Sequence, residues 1–117
     1  MTDLHHLSVH ELADGLKNKQ FSSHELVEHF AKRINRLDVQ INSFITKDFD
    51  NALKHAELAD KLRAEGDARP LLGVPMAHKD NLCTKGVLTT AGSKMLYNFV
   101  SPYHATVVDN IANSGFV

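Results

Sequence analysis

The stretch that decides the fold is Gly73-Val74-Pro75-Met76-Ala77-His78-Lys79-Asp80-Asn81. Apolar residues dominate it, Gly73 and Pro75 mark its entry, and Asp80-Asn81 is typical of a turn at its exit. The pattern predicts a buried strand that carries one lysine at its end. Burial removes hydration from an ammonium group and favours the neutral amine, which can accept a proton. Lys79 is therefore a candidate general base, although periodicity alone favours a lysine whose head reaches water.

Two amphipathic helices are predicted ahead of this stretch, and both open with the same residue pattern. Ser8 with Glu11, and Ser22 with Glu25, have the spacing of capping boxes. In a capping box the serine oxygen accepts from the amide of the glutamate, and the carboxylate accepts from the amide of the serine. These two boxes predict where the first two helices begin.

The segment between the second helix and the opening stretch predicts one strand and one helix. Residues 41–46 alternate weakly between apolar and polar side chains, which indicates a short strand. A third helix is expected to begin with a cap at Asp48 or Asp50 and to end before Gly66.

The last part of the sequence predicts two further helical segments. Ser93 can cap a short helix, and residues 105–113 have the pattern of a helix that ends before Gly115. Its inward side chains are expected to be Val107, Val108 and Ile111. Apolar residues follow the glycine at once, as in α/β units that enter their next strand, so we expect a sequence that is cut short.

Composition excludes several classes of protein. The 117 residues are 43% hydrophobic and 23% charged, with a net charge of −1, which is typical of a globular protein. There is no excess of positive charge for phosphates, and Lys32, Arg33 and Arg36 have the spacing of a solvated helix face, so direct nucleic-acid binding is not expected. Without a secretory signal or a membrane span, and with Cys83 alone, the chain is expected to be cytoplasmic.

Other candidate sites are weaker. His24 and His29 are five residues apart, so their rings lie about 140° apart on a helix and cannot share a metal ion. The group His5, His6 and His10 lies at the start of the chain, where no fixed geometry is expected. We therefore expect no metal site.

Nor do the remaining polar residues form a known site. Gly73 and Gly86 do not form a phosphate-binding loop. His78 and Cys83 lack the neighbours of a catalytic histidine or cysteine, so a structural role is the simpler interpretation for both.

Three runs of residues resemble the amidase signature family and, within it, the A subunits of the tRNA-dependent amidotransferases. They are Leu72-Gly73-Val74-Pro75-Met76-Ala77-His78-Lys79-Asp80-Asn81-Leu82-Cys83-Thr84-Lys85-Gly86, Thr89-Thr90-Ala91-Gly92-Ser93-Lys94-Met95-Leu96 and Pro102-Tyr103-His104-Ala105-Thr106-Val107-Val108. Two positions depart from the usual pattern: His104 replaces an acidic residue, and His78 replaces an aliphatic one. The resemblance covers essentially the whole chain.

The resemblance implies an α/β fold, a mixed sheet flanked by helices, and a Ser–cis-Ser–Lys triad in which Lys79 is the lysine. Both serines lie beyond Val117 in that family. Residues 1–117 are then expected to be the N-terminal part of one amidase domain, with 1–66 mainly helical and 67–117 holding the first strands and helices of the sheet. Alone, such a chain is expected to be inactive.

The resemblance also implies substrates and partners. A serine attacks the side-chain amide of glutamine, the second serine relays a proton, and Lys79 accepts and returns it. The ammonia passes to a partner protein of the same complex that amidates Glu-tRNA(Gln), or Asp-tRNA(Asn), with ATP and Mg²⁺. The implied partners are the B and C subunits and, through them, misacylated tRNA, while this chain itself needs no cofactor or metal.

Two alternatives remain open at the level of sequence. One is a stand-alone amidase of the same family that acts on a small amide and shares Lys79. The other is a non-catalytic helical module whose capped helices bind a partner and in which Lys79 is exposed.

Overall fold

The computed structural model describes residues 3–117 and is mainly helical, so the first two residues of the predicted helical part lie outside it. Four α-helices are present in the described part: α1 (Val9–Lys17), α2 (Ser23–Ile41), α3 (Phe49–Ala64) and α4 (Thr106–Asn113). Short 3₁₀ turns occupy Leu4–His6 and Lys94–Leu96. Across residues 3–117, none of the helices has both the length and the apolar character that crossing a bilayer requires.

Both predicted capping boxes are confirmed. The Ser8 amide donates to the Glu11 carboxylate at 2.7 Å, and the Glu11 amide donates to the Ser8 hydroxyl at 3.3 Å. The corresponding distances between Ser22 and Glu25 are 2.8 and 3.0 Å. Hydrogen bonds from the serine amide and hydroxyl lower the pKa of both glutamates, because they stabilise the ionised carboxylate. The starts of α1 and α2 were therefore encoded locally.

The core lies where α1 and α2 meet the stretch that follows α3. Its buried side chains are Leu12, Leu16, Leu26 and Val74, and each is at most 5% exposed. Phe21 and Phe30 pack against this cluster and are partly buried. Because Val74 belongs to the cluster, the core fixes the chain five residues ahead of Lys79.

The predicted strand at 41–46 is wrong. Helix α2 continues to Ile41, and Asn42 ends it in a left-handed conformation with a φ of 55°. The buried Asp38 carboxylate then accepts the Ser43 amide at 2.6 Å and pairs with Lys47 at 2.9 Å. Asparagine tolerates this conformation well, and the carboxylate takes the amide that a neighbouring strand would need.

The third helix is confirmed with Asp48 as its N-cap residue, but the Asp48 side chain makes no capping hydrogen bond. Helix α3 begins at Phe49, directly after Asp48. The Asp48 side chain accepts from the Asn51 side-chain amide at 2.9 Å instead of from a backbone amide. The end of the helix is as predicted, since Gly66 follows it with a φ of 103°.

The predicted strand in the opening stretch is not confirmed in the described residues. The segment 74–79 belongs to no helix or strand, and across residues 3–117 the only bridge is an isolated antiparallel pair between Leu88 and Val100. The predicted α/β sheet is therefore absent from the described part of the chain. A strand needs a partner on at least one edge, and periodicity within one segment does not supply it.

A short run of backbone hydrogen bonds nevertheless joins this segment to the residues after α4. The Val117 amide donates to the Val74 carbonyl at 3.0 Å, and the Met76 amide donates to the Val117 carbonyl at 2.8 Å. This alternation is the pattern of parallel neighbours. The residues after α4 therefore lie beside the opening stretch.

Helix α4 buries less than the sequence suggested. Val108 is 3% exposed, but Val107 is 44% exposed and Ile111 is only partly buried. The prediction that all three side chains point inward is therefore wrong for Val107. The apolar side of α4 is wider than the surface it packs against, and in the described residues no second element covers the remainder.

Gly115 allows the close approach that brings Val117 to Val74. Its φ is +97°, and a Cβ atom there would lie 2.7 Å from the Leu72 Cα. Gly66 has a similar φ of +103° but open space around it. Alanine substitutions at the two glycines therefore distinguish the cost of backbone strain, present at both, from the cost of a steric clash, present only at Gly115.

We predict that Gly66→Ala lowers the free energy of unfolding by about 1–2 kcal/mol, the usual cost of a left-handed non-glycine residue. Gly115→Ala is expected to cost about 1–3 kcal/mol more, because the added methyl group overlaps the Leu72 backbone. Urea unfolding followed by far-UV circular dichroism measures both values. Equal losses in the two variants would contradict the close approach.

Candidate active site

Lys79 lies at the end of the segment 74–79 and is exposed. Burial in this segment stops early: Leu72, Gly73 and Val74 are buried, whereas every residue from Met76 to Lys79 is exposed. Within residues 3–117 the Lys79 head reaches water, which is the outcome that periodicity alone favoured, and the dehydrated state needed by a general base is not seen. The reason is geometric, because only the 115–117 segment pairs with this stretch and nothing in the described part covers its outer side.

The backbone around Lys79 is held more firmly than its side chain. The Lys79 carbonyl accepts the Leu82 amide at 3.0 Å, which closes the predicted turn. Within the described residues, the Lys79 ammonium group forms neither a salt bridge nor a hydrogen bond. The amine is therefore open to groups that approach from outside this part of the chain.

Asp80 binds Thr90 and not Lys79. Its carboxylate accepts the Thr90 amide at 3.0 Å and also the Thr90 hydroxyl, while its carbonyl accepts the Ala91 amide at 2.9 Å. Partial burial alone would raise the pKa of the Asp80 carboxyl, but hydrogen bonds from Thr90 and the Gly92 amide hold it below the ordinary value. Sequence reasoning missed Thr90 as the partner of Asp80.

Two histidines lie near the lysine segment. His104 accepts the Lys85 amide through Nδ1 at 3.0 Å, a position at which a carboxylate could accept the same bond. His78 is more than a third exposed, yet the partial burial of its ring, and then the nearby His104, lower its pKa. Both residues are positions where the sequence departs from the family pattern.

Cys83 and Ser93 have structural environments, as expected. The Cys83 carbonyl accepts the Ala105 amide at 2.8 Å, and its thiol lies 3.7 Å from the Tyr103 hydroxyl. The Ser93 hydroxyl accepts the Met95 amide at 3.2 Å and so caps the Lys94–Leu96 turn. Neither residue contacts Lys79 through a hydrogen bond.

Lys79 lines a broad concave surface that encloses a volume of about 1330 Å³. One wall is apolar and comes from α2 through Phe30 and Ile34, and the opposite side is formed by the 75–92 segment. His78, Asp80 and His104 also line it. The described residues thus place an accessible amine and several polar groups beside an apolar wall, but no hydroxyl bonded to that amine.

Comparison with known proteins identifies the family. A family model described as Amidase matches residues 25–117. The chain belongs to the amidase signature family. The A subunit of the glutamyl-tRNA(Gln) amidotransferase of Moraxella catarrhalis is 92% identical over all 117 residues, and that of Psychrobacter cryohalolentis is 60% identical. In each case the chain covers 24% of the relative, so it spans about a quarter of the length of these curated proteins.

Solved structures of the family share this arrangement of the chain. The native peptide amidase of Stenotrophomonas maltophilia is 30% identical, with a TM-score of 0.88 over 94% of this chain and 23% of its own. Fatty acid amide hydrolase is 24% identical, with a TM-score of 0.88 over 100% of this chain and 21% of its own, and it supports the fold alone. The described helices therefore occur as part of the amidase signature fold.

We predict that the Asp80–Thr90 contact stabilises the segment that carries Lys79. In a double-mutant cycle, Asp80→Asn and Thr90→Val should show a coupling of about 1–2 kcal/mol in the free energy of unfolding, since hydrogen bonds to a charged group exceed neutral ones. Urea unfolding of the two single variants and the double variant measures it. Additive losses would mean that the two side chains act independently.

The same contact predicts a dependence on pH. A carboxyl whose pKa is lowered by folding contributes stability above its ordinary value of 3.8, and this contribution is lost as the pH falls toward the lower folded value. Asp80→Asn should therefore flatten part of the acid unfolding curve below about pH 4. Thermal unfolding of both proteins between pH 3 and pH 7 measures the difference, and parallel curves would argue against it.

Proposed function

We propose that residues 1–117 are the N-terminal part of the A subunit of a tRNA-dependent amidotransferase, within a single amidase domain. The observation that carries this proposal is the 92% identity, over the whole chain, to a protein named as that subunit in Moraxella catarrhalis. The complete protein would hydrolyse glutamine and supply ammonia for the conversion of Glu-tRNA(Gln), or of Asp-tRNA(Asn), to the amidated form. A cytoplasmic location is part of the proposal.

In this proposal Lys79 is the base of a Ser–cis-Ser–Lys triad. A serine oxygen attacks the carbonyl carbon of the glutamine side-chain amide, and the serine proton passes through the second serine to the neutral amine of Lys79. The lysine then returns the proton to the leaving nitrogen, which departs as ammonia, and water hydrolyses the acyl-enzyme. A hydroxyl is a weak nucleophile until a positioned base takes its proton.

Three features of the described residues support this role. The Lys79 amine is exposed on a broad concave surface, it has no partner among residues 3–117, and its backbone is fixed by the turn that follows. A hydrated amine holds its proton tightly, so the proposal requires that residues beyond Val117 cover Lys79 and dehydrate it. Both serines would come from the same later residues.

The B and C subunits are the proposed partners, and misacylated tRNA is reached through them. ATP and Mg²⁺ are assigned to these partners, and this chain is proposed to bind no cofactor or metal.

The stand-alone amidase remains a second candidate, because a peptide amidase shares this part of the fold at a TM-score of 0.88. The docking module also predicts an exposed Lys79, as is observed. The three proposals differ in what the complete protein needs for activity. The amidotransferase needs its partner proteins to form the amidated tRNA, a stand-alone amidase does not act on tRNA, and a docking module hydrolyses no amide.

We predict that Lys79→Ala and Lys79→Arg each lower glutamine hydrolysis by the complete protein, with its B and C partners, at least about 100-fold. Arginine keeps the charge but cannot act as a base at neutral pH. Lys94→Ala removes an exposed lysine from the same region and should keep full activity. Ammonia release measured by a coupled assay tests all three, and an active Lys79→Arg variant would exclude lysine as the base.

The 117-residue chain alone is predicted to release no ammonia from glutamine. It would hold the base of the triad but neither serine, so no acyl-enzyme can form. The measurement is ammonia release by the purified chain beside its Lys79→Ala variant. Hydrolysis above that control would mean that the nucleophile lies within these residues.

A further inference from the structure

A second concave site lies on another side of α2, away from the surface that Lys79 lines. It is a cleft of about 290 Å³ between the 3₁₀ turn at the start of the chain and the middle of α2. Its lining residues are polar or charged: Asp3, His5, His29, Lys32, Arg33 and Arg36. None of them lines the surface that holds Lys79.

Two histidines from different elements meet in this cleft. His5 Nδ1 and His29 Nε2 are 3.0 Å apart, and the two rings stack with centroids 5.3 Å apart at 16°. The His6 ring lies 4.2 Å from that of His5. The expectation that the first histidines have no fixed geometry is therefore wrong, because the 3₁₀ turn holds them against α2. Two ring nitrogens at this distance share one proton, so one of them accepts.

The charge of the cleft is positive. Among residues 3–117, neither Arg33 nor Arg36 has a carboxylate within 4.0 Å, while Lys32 pairs with Glu28 at 3.0 Å. Asp3 supplies the one carboxylate of the lining. Arg33 and Arg36 are three residues apart on α2, so their guanidinium groups are neighbours on one side of the helix.

The ligand that fits best is an anion. Asp3, His5 and His6 bring donor atoms within 4.8 Å of one another, which would suit a metal ion by ligand type. However, a divalent cation would meet two unpaired arginines, and those charges oppose it. A guanidinium group matches the oxygens of a phosphate with paired donors, and the cleft holds two of them.

We propose that this cleft binds a phosphate group, with Arg33 and Arg36 as its ionic ligands and a free ring N–H of the His5–His29 pair as an additional donor. The charged and titratable groups that face the pair are Asp3, His6, Lys32 with its partner Glu28, and the two arginines. The phosphate could belong to a small ester or to the backbone of a nucleic acid, since both present the same oxygens. This inference is independent of the function proposed for Lys79.

Isothermal titration of the 117-residue chain with inorganic phosphate tests the ionic ligands. Arg33→Ala and Arg36→Ala should each weaken binding about tenfold, the loss expected when one charge-assisted hydrogen bond is removed. The control is the double variant Lys54→Ala/Lys61→Ala, which removes two positive charges from exposed positions of α3 and should bind as the parent does. Far-UV circular dichroism confirms that each variant is folded.

The variants His5→Ala and His29→Ala test the histidine pair at one fixed pH. Each variant should weaken phosphate binding, because the ring N–H that the pair offers to the anion is lost. A 12-base-pair RNA duplex distinguishes the two sources of phosphate. If the salt dependence of RNA binding becomes shallower in the arginine variants, the site is assigned to a nucleic-acid backbone. If only inorganic phosphate binds, the site is assigned to a small ester.

Two results would overturn the proposal. The first is phosphate binding that is the same in the parent and in both arginine variants. The second is a heat signal with ZnCl₂ that is lost in His5→Ala, together with no signal from phosphate, which would make the cleft a metal site.

Discussion

The arrangement of this chain depends on one buried hydrogen bond, in which the Ser23 hydroxyl donates to the Gly73 carbonyl at 2.6 Å. Ser23 begins α2, and its amide also donates to Asp60 of α3 at 2.7 Å. A Cβ atom on Gly73 would lie 2.7 Å from the Ser23 hydroxyl oxygen, so only glycine allows the contact. A buried hydroxyl must be paired, and here the pairing joins α2, α3 and the segment that leads to Lys79.

The parts of the fold that the sequence predicted are those that neighbouring residues determine. Both capping boxes, the third helix and the glycine after α4 depend on groups a few residues apart, and all are present. The two predicted strands depend on partners far along the chain, and neither forms in residues 3–117. At 41–46 a local feature was decisive, because Asn42 ends α2 and Asp38 takes the next amide.

The same distinction between local and long-range determinants applies to the candidate site. Periodicity favoured a Lys79 head that reaches water, as is observed, whereas the residues that would cover the lysine lie too far along the chain to leave a local pattern. The Thr90 partner of Asp80 lies ten residues away across a turn and left no periodic signal. The basic side of α2 was correctly predicted to be polar, yet its contact with His5 joins residues 24 positions apart. The chemical type of each candidate residue could be read from the sequence, whereas its neighbours in space could not.

The exposed Lys79 also bears on the thermodynamics of building the active site. Its backbone is already ordered by the turn at Asp80 and by the core at Val74, so later assembly need not fix those torsions again. What assembly still has to fix is one exposed side chain, whose rotamer entropy amounts to about 2 kcal/mol. The interactions formed when the site closes over Lys79 therefore have to offset only the lost side-chain entropy and the lost hydration of the amine.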